Sequence, residues 1–298
     1  MTEKPVMKNN TLRYARELFK SYDDFHVADF RKRQFSPDIL HAALKTLRNN
    51  APSAVKISPA GNSFERKKIY HVQTGTGRIP VLLWSQMHGD EPTATMAICD
   101  ILKYFGETRR EGVPRKILSS LTLHFIPMLN PDGAACFQRR NAQNIDINRD
   151  ALALRTPEAQ LLRKIQKKLR PQFGFNLHDQ ELSSVGNSKS VSAMSLLAPA
   201  YDHKRSDNPV RRRAKYLAAT FNRIMQEYIP DLVTRYDDAF EARAFGDNMQ
   251  KWGTSTLLVE SGGWPHDREK MFIRKLNYVG LLATLFSIAV FRFQQRIK

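Results

Sequence analysis

Cysteine is scarce. Two residues in 298, Cys99 and Cys136, exclude a disulfide-rich scaffold, and neither belongs to a Cys-x-x-Cys or Cys/His cluster of the structural-zinc kind. Both read as plain buried thiols. The opening Met1-Thr2-Glu3-Lys4-Pro5 lacks the apolar stretch of a secretory signal, so a cytoplasmic protein is the expectation. A membrane-spanning run is also missing. Tyr278 to Phe291 is apolar apart from Gly280, Thr284 and Ser287, but its fourteen residues fall short of the roughly 20 that a spanning helix needs. It reads as a buried C-terminal helix. Acidic residues are few, 29 against 47 basic, and the +18 charge favours salt-dependent association with polyanions. The basic groups Arg31-Lys32-Arg33, Arg66-Lys67-Lys68, Arg109-Arg110 and Arg211-Arg212-Arg213 are scattered and carry no aromatic interleaving. They read as solvated faces, not as a nucleic-acid site. With 42% hydrophobic residues, 14 glycines and 15 prolines, the chain can build a substantial core and is neither collagenous nor of low complexity.

What is present has an alternating organisation. Leu40, Ala43, Leu44 and Leu47 recur at helical spacing, and Pro52 and Pro59 then break the pattern, giving a helix and an extended lead-in over residues 1 to 60. From Lys68 short apolar runs alternate with longer amphipathic ones, as strands and helices do in an α/β sheet. Ile79 to Trp84, Leu121 to Met128, Gln172 to Leu177 and Ser255 to Val259 are the strand candidates. A helix follows Pro92, with Ala94, Ala97, Ile98, Ile101, Leu102 and Phe105 as its core stripe, and another covers Pro157 to Leu169. Asn130-Pro131-Asp132-Gly133 reads as a turn.

Polar residues recur where these strands end, which is where open α/β sheets place their sites. His88 and Glu91 share one tight turn, His178 follows a second strand, and Glu260 follows a third. A catalytic zinc takes three protein ligands and keeps one position open; two histidines and a glutamate are a known set, which His88, Glu91 and His178 can supply. Taken singly, each is read more simply as a hydrogen-bonded strand-end residue. His71, His124 and His203 lack a comparable partner. Burial at a strand end would raise the pKa of Glu260 and fit it to exchange a proton with water, whereas a plain reading makes it a cap for the turn at Gly262-Gly263. Arg139 and Arg149 can polarise a carbonyl or clamp a carboxylate, and Asp146 can orient a ligating histidine.

The ordered set His88-Gly89-Asp90-Glu91, Asn130-Pro131-Asp132-Gly133, Arg139 with Asn141-Ala142, Ile145-Asp146-Ile147-Asn148-Arg149, His178 and Val259-Glu260-Ser261-Gly262-Gly263 resembles the zinc carboxypeptidase family of metallopeptidases. The resemblance implies a three-layer α/β/α fold with a mixed, mostly parallel sheet of about eight strands, forming a catalytic domain over residues 61–298 behind the lead-in. It implies one Zn²⁺ on His88, Glu91 and His178, with Asp146 behind the first histidine. Glu260 is then the general base that activates a zinc-bound water, and Arg139, chosen over Arg140 by register alone, stabilises the carbonyl oxygen. Asn148 and Arg149 bind the substrate's terminal carboxylate. Tyr236, 24 positions before Glu260, is the nearest counterpart of the family's mobile tyrosine, and Asp247 in a pocket-side loop favours a basic or amino-bearing substrate. The implied reaction is hydrolysis of an amide bond beside a free C-terminal carboxylate. Its substrate is a peptide or an acylated amino acid, with no specific nucleic-acid partner. Two other readings are an N-acyl amino acid deacylase resembling aspartoacylase and succinylglutamate desuccinylase, and a non-catalytic basic protein that holds an anionic polymer.

Overall fold

A computed structural model describes residues 5–291; Met1 to Lys4, four of the five opening residues that lack a signal's apolar stretch, lie outside them. In chain order the elements are α1 (Pro5–Lys20), α2 (Tyr22–Phe25), α3 (Pro37–Asn50), β1 (Lys56–Asn62), β2 (Lys68–Thr74), β3 (Ile79–Ser85), α4 (Thr93–Thr108), α5 (Gly112–Ser120) and β4 (Leu121–Ile126). There follow α6 (Pro131–Cys136), a 3-10 turn (Ile147–Arg149), α7 (Pro157–Leu169), β5 (Phe173–Asp179), β6 (Met194–Leu197), α8 (Pro209–Met225), β7 (Val233–Arg235), α9 (Phe245–Lys251), β8 (Ser255–Ser261) and α10 (Met271–Val290). The strands form one eight-stranded sheet in the order β1-β2-β4-β3-β5-β8-β6-β7. Its centre, β4-β3-β5-β8, is parallel, and antiparallel pairs flank it, so the sheet is mixed, as the family resemblance implied.

Alternation along the strands divides the interior. Val81 and Leu83 of β3 face one core, shared with α1 to α5, α8 and α10, while Leu82 and Trp84 face a second core, shared with α7 and α9. Helices therefore cover both faces, and β3, β5 and β8 are almost wholly buried. The helix starts follow simple chemistry: Thr156 accepts a hydrogen bond from the Ala159 amide and Asn208 from the Arg211 amide, each followed by a proline in the first turn.

Several details differ from the sequence reading. Asn130-Pro131-Asp132-Gly133 does not end in a turn; Asn130 caps the short helix α6 by accepting from the Gly133 amide. The C-terminal helix is 20 residues long, not fourteen, because Met271 to Asn277 continue it inward. By length and composition it is long and apolar enough to cross a membrane, but 83% of its most apolar window is buried in the fold. Cys136 is exposed, unlike Cys99, because it ends α6 at the surface. Arg211 does not belong to a solvated face: it is 2% exposed and pairs with Asp238 at 2.6 Å. The boundary drawn after residue 60 falls within β1, and Tyr14, Leu18, Leu40 and Leu44 share the larger core with the sheet.

Candidate metal centre and cleft

Three strands that run side by side and parallel deliver the central residues to one edge of the sheet. β3 leads into the turn carrying His88 and Glu91, and His178 and Glu260 are the penultimate residues of β5 and β8. Gln86 takes a left-handed backbone conformation (φ 49°) as the chain leaves β3; its side chain donates to the Gly89 carbonyl at 2.9 Å and accepts from Thr95 at 3.0 Å. Gly89 is required by contact. A Cβ there would lie 2.0 Å from the Gly133 carbonyl carbon.

Candidate ligand atoms of His88, Glu91 and His178 all lie within 4.8 Å of one another, and all three residues are buried. His88 Nδ1 is 2.7 Å from Glu91 Oε1, and His178 Nδ1 is 2.7 Å from Glu91 Oε2. The outer nitrogen of His88, Nε2, meets Asp146 Oδ1 at 2.9 Å, which turns Nδ1 inward. Two imidazoles and a carboxylate, converging with no further candidate ligand in the group among the described residues, match the donor set of a catalytic zinc.

Charge follows from this packing. Burial opposes ionisation of Glu91, but the facing His178 and His88 hold its carboxyl well below the usual range. Burial likewise opposes the charge on His88, and Glu91 with Asp146 raises its pKa to about 9. Glu260 is pushed up to about 7, chiefly by burial, with His178 acting against the shift and Glu91 with it. No bond joins its carboxylate to the turn at Gly262-Gly263 among the described residues, so the capping alternative finds no support.

The other expected residues line the same cleft, whose volume is about 1090 Å³. Arg139 donates to Glu91 at 3.2 Å and to Asp146 at 3.0 Å, whereas Arg140 turns away to the Asn144 carbonyl. Asn148 and Arg149 reach the cleft from the 3-10 turn, with Asn148 Oδ1 accepting from the Phe245 amide at 2.9 Å. Tyr236 projects from the residue after β7, and the charges of Glu260, Arg139 and Arg149 all act on it. Asp247 lies in the first turn of α9, not in a loop; burial raises its pKa to about 7. His71 and His124 do have a partner, each other: their rings stack, with Nε2 to Nδ1 at 3.0 Å. His203 packs against Phe240, away from the cleft.

Sequence reasoning missed Arg33, Glu241 and Lys270, which also line the cleft. Arg33 looked like one of a run of surface cations. The usable signal was Asp179 at the end of a buried strand, since a carboxylate in that setting requires cationic partners.

Residues 40–256 match the model of the zinc carboxypeptidase family. The chain belongs to the zinc carboxypeptidase family. It is 23% identical over 181 residues to carboxypeptidase SOL1 of Arabidopsis thaliana, covering 55% of this chain and 37% of that one. It is 25% identical over 144 residues to carboxypeptidase 2 of Trichophyton rubrum, covering 48% and 26%. The chain thus spans between about a quarter and two fifths of these relatives. Among solved structures, the metallo-carboxypeptidase of Burkholderia cenocepacia superposes with a TM-score of 0.67 at 17% identity over 85% of this chain and 69% of that one, which establishes a shared fold. Metallocarboxypeptidase-type hydrolysis is the general chemistry of the family, and the family implies zinc.

Proposed function

We propose that the protein is a zinc-dependent carboxypeptidase that cleaves the amide bond beside a free C-terminal carboxylate. One observation carries the reading: the donors of His178 converge with those of His88 and Glu91, which line the cleft, and Glu260, which lines it too, is register partner to His178 across β5 and β8. Zinc held by the three donors would supply a Lewis acid that polarises the scissile carbonyl and acidifies water. Glu260 takes the proton of the attacking water and returns it to the leaving amine. Arg139 donates to the carbonyl oxygen as negative charge develops there. Asn148 and Arg149 hold the terminal carboxylate, Arg149 by its paired donors. Tyr236 covers the bound residue. Asp247, with apolar Leu197 and Leu258 nearby in the lining, selects a side chain with an alkyl stem and an amino or guanidino end.

Glu260→Gln tests the assignment. In the zinc-loaded protein it lowers kcat by about 10²–10⁴-fold on peptides with a free C-terminus while zinc content stays near one per chain. Unchanged hydrolysis with zinc still bound rules out Glu260 as the base. Peptides blocked at the C-terminus resist cleavage; a wild-type enzyme that hydrolyses only N-acyl amino acids overturns the peptidase reading in favour of a deacylase.

A further inference from the structure

The cleft crosses the edge of the sheet from one face to the other. Asn148, Arg149 and Asp247 approach it from the face covered by α7 and α9, since Ile147 and Phe245 belong to that smaller core. Opposite them, beyond the metal donors, the wall is built by Arg33 of the segment between α2 and α3 and by the residues that lead into α10, Lys270 among them, and the neighbouring Phe30, Phe35 and Met271 pack on the larger core. Arg33 is the residue that this segment sends into the cleft.

The segment is fastened at several points. Buried Arg274 donates to the carbonyls of Val27 at 2.9 Å and Phe30 at 3.0 Å, Asp100 accepts from the Val27 amide at 2.8 Å, and Glu269 accepts from the Arg33 amide at 2.7 Å. The guanidinium is fixed too: Arg33 Nη2 donates to Asp179 Oδ2 at 3.2 Å and to the Asp90 carbonyl at 3.4 Å, and its carbon sits 5.9 Å from the Phe137 ring centre. Asp179 Oδ2 is itself held by Thr93 at 2.6 Å and by Lys270 at 3.5 Å. Arg33 Nη1 has no acceptor among the described residues, and its side chain remains 25% exposed to the cleft. An ordered cation with an open donor is thereby presented beside the metal donors, on the side opposite Arg149.

We infer that Arg33 binds the acyl half of the substrate, with Nη1 donating to a backbone carbonyl oxygen N-terminal to the scissile bond. This rests on the carboxypeptidase reading: with the terminal carboxylate at Asn148 and Arg149 and the scissile bond at the metal donors, the rest of the peptide leaves toward Arg33. The ligand is therefore an extended peptide, and a short N-acyl group does not reach this donor. Arg33 lies before residue 40, where the match to the family model starts, so this determinant is a property of the chain's own N-terminal segment.

The test is a length series with one C-terminal residue, preceded by acetyl, by one acetylated residue and by two. A hydrogen bond from a charged donor corresponds to about a tenfold gain or more in kcat/KM as the acyl side lengthens in the wild-type zinc protein. Arg33→Met keeps an unbranched stem of similar length and removes the donors; it flattens the series while leaving the acetyl substrate within about threefold of wild type. The same length dependence in the variant, or an equal loss on every substrate, overturns the inference. Arg33→Lys, which keeps a donor, restores part of the length gain; a lysine variant as flat as the methionine variant also counts against it. Acidic and neutral residues at the acyl position give the same Arg33 dependence, and a dependence confined to acidic ones assigns Arg33 to a side-chain carboxylate and refutes the backbone contact. Hydrolysis of no member by the wild type defeats the carboxypeptidase reading itself, a result distinct from hydrolysis with an unchanged length series.

Discussion

Asp100→Ala should damage the protein more than any surface substitution. Asp100 is fully buried on α4 and accepts from Arg274 Nε at 2.8 Å and Nη2 at 2.6 Å, from the Val27 amide at 2.8 Å and from the Tyr22 hydroxyl at 3.1 Å. Removing the carboxylate leaves a guanidinium that is 2% exposed, with no carboxylate partner among the described residues: there remain the carbonyls of Val27 and Phe30, the Met271 sulfur and the Phe30 ring at 5.6 Å. An unpaired buried charge costs about 3–5 kcal/mol. For a chain near 300 residues each kcal/mol moves the melting temperature by about 2 °C, so a fall of about 6–10 °C is expected, measured by circular dichroism at neutral pH. Limited proteolysis should also find new cleavage between residues 26 and 36, because the same pair fastens that segment. The double replacement Asp100→Leu with Arg274→Met removes both charges and should recover most of the loss, since apolar replacements of a buried pair are often neutral. A single variant that loses less than about 1 kcal/mol, or a double variant no better than the single, refutes the account.

Asp146→Ala should weaken zinc binding by about 10–100-fold in a chelator competition, because His88 loses the partner that turns its Nδ1 inward; undiminished affinity would show that the ring is oriented by other contacts. His124→Phe should flatten the acid limb of stability. Burial first, and the charge of His71 second, lower the pKa of His124 to about 4. The unfolded chain takes up this proton below about pH 6.5 and the folded chain only below about 4, so stability falls as pH drops through that window, by at most about 3 kcal/mol. Urea midpoints at pH 7 and 4.5 should converge in the variant, and an unchanged difference would place the acid sensitivity elsewhere.

The central strands were legible because β3, β5 and β8 are covered on both faces and so read as short, mostly apolar runs, although Asn176 interrupts β5. The donors were legible because each follows such a run. β6 and β7 are only four and three residues long, too short for any period to register. α8 was obscured by Arg211-Arg212-Arg213, where chemistry suggested solvent but packing buries the first of the three. The role of the N-terminal segment was invisible for a different reason: Arg33 meets Asp179 across 146 residues of chain, and nothing local marks a contact of that range. The His71–His124 pair was likewise hidden, since it arises only when β2 and β4 become neighbours.

The pairing of β5 with β8 has a consequence for how the site can vary. Seven consecutive residues pair from Phe173 with Ser255 to Asp179 with Ser261. A slip of one position along that ladder would rotate Glu260 to the opposite side of the sheet from His178. The distance between proton carrier and donor imidazole is thus written in main-chain amides, not in side-chain packing. An inserted or deleted residue inside either strand would dismantle the chemistry without touching a single reactive group.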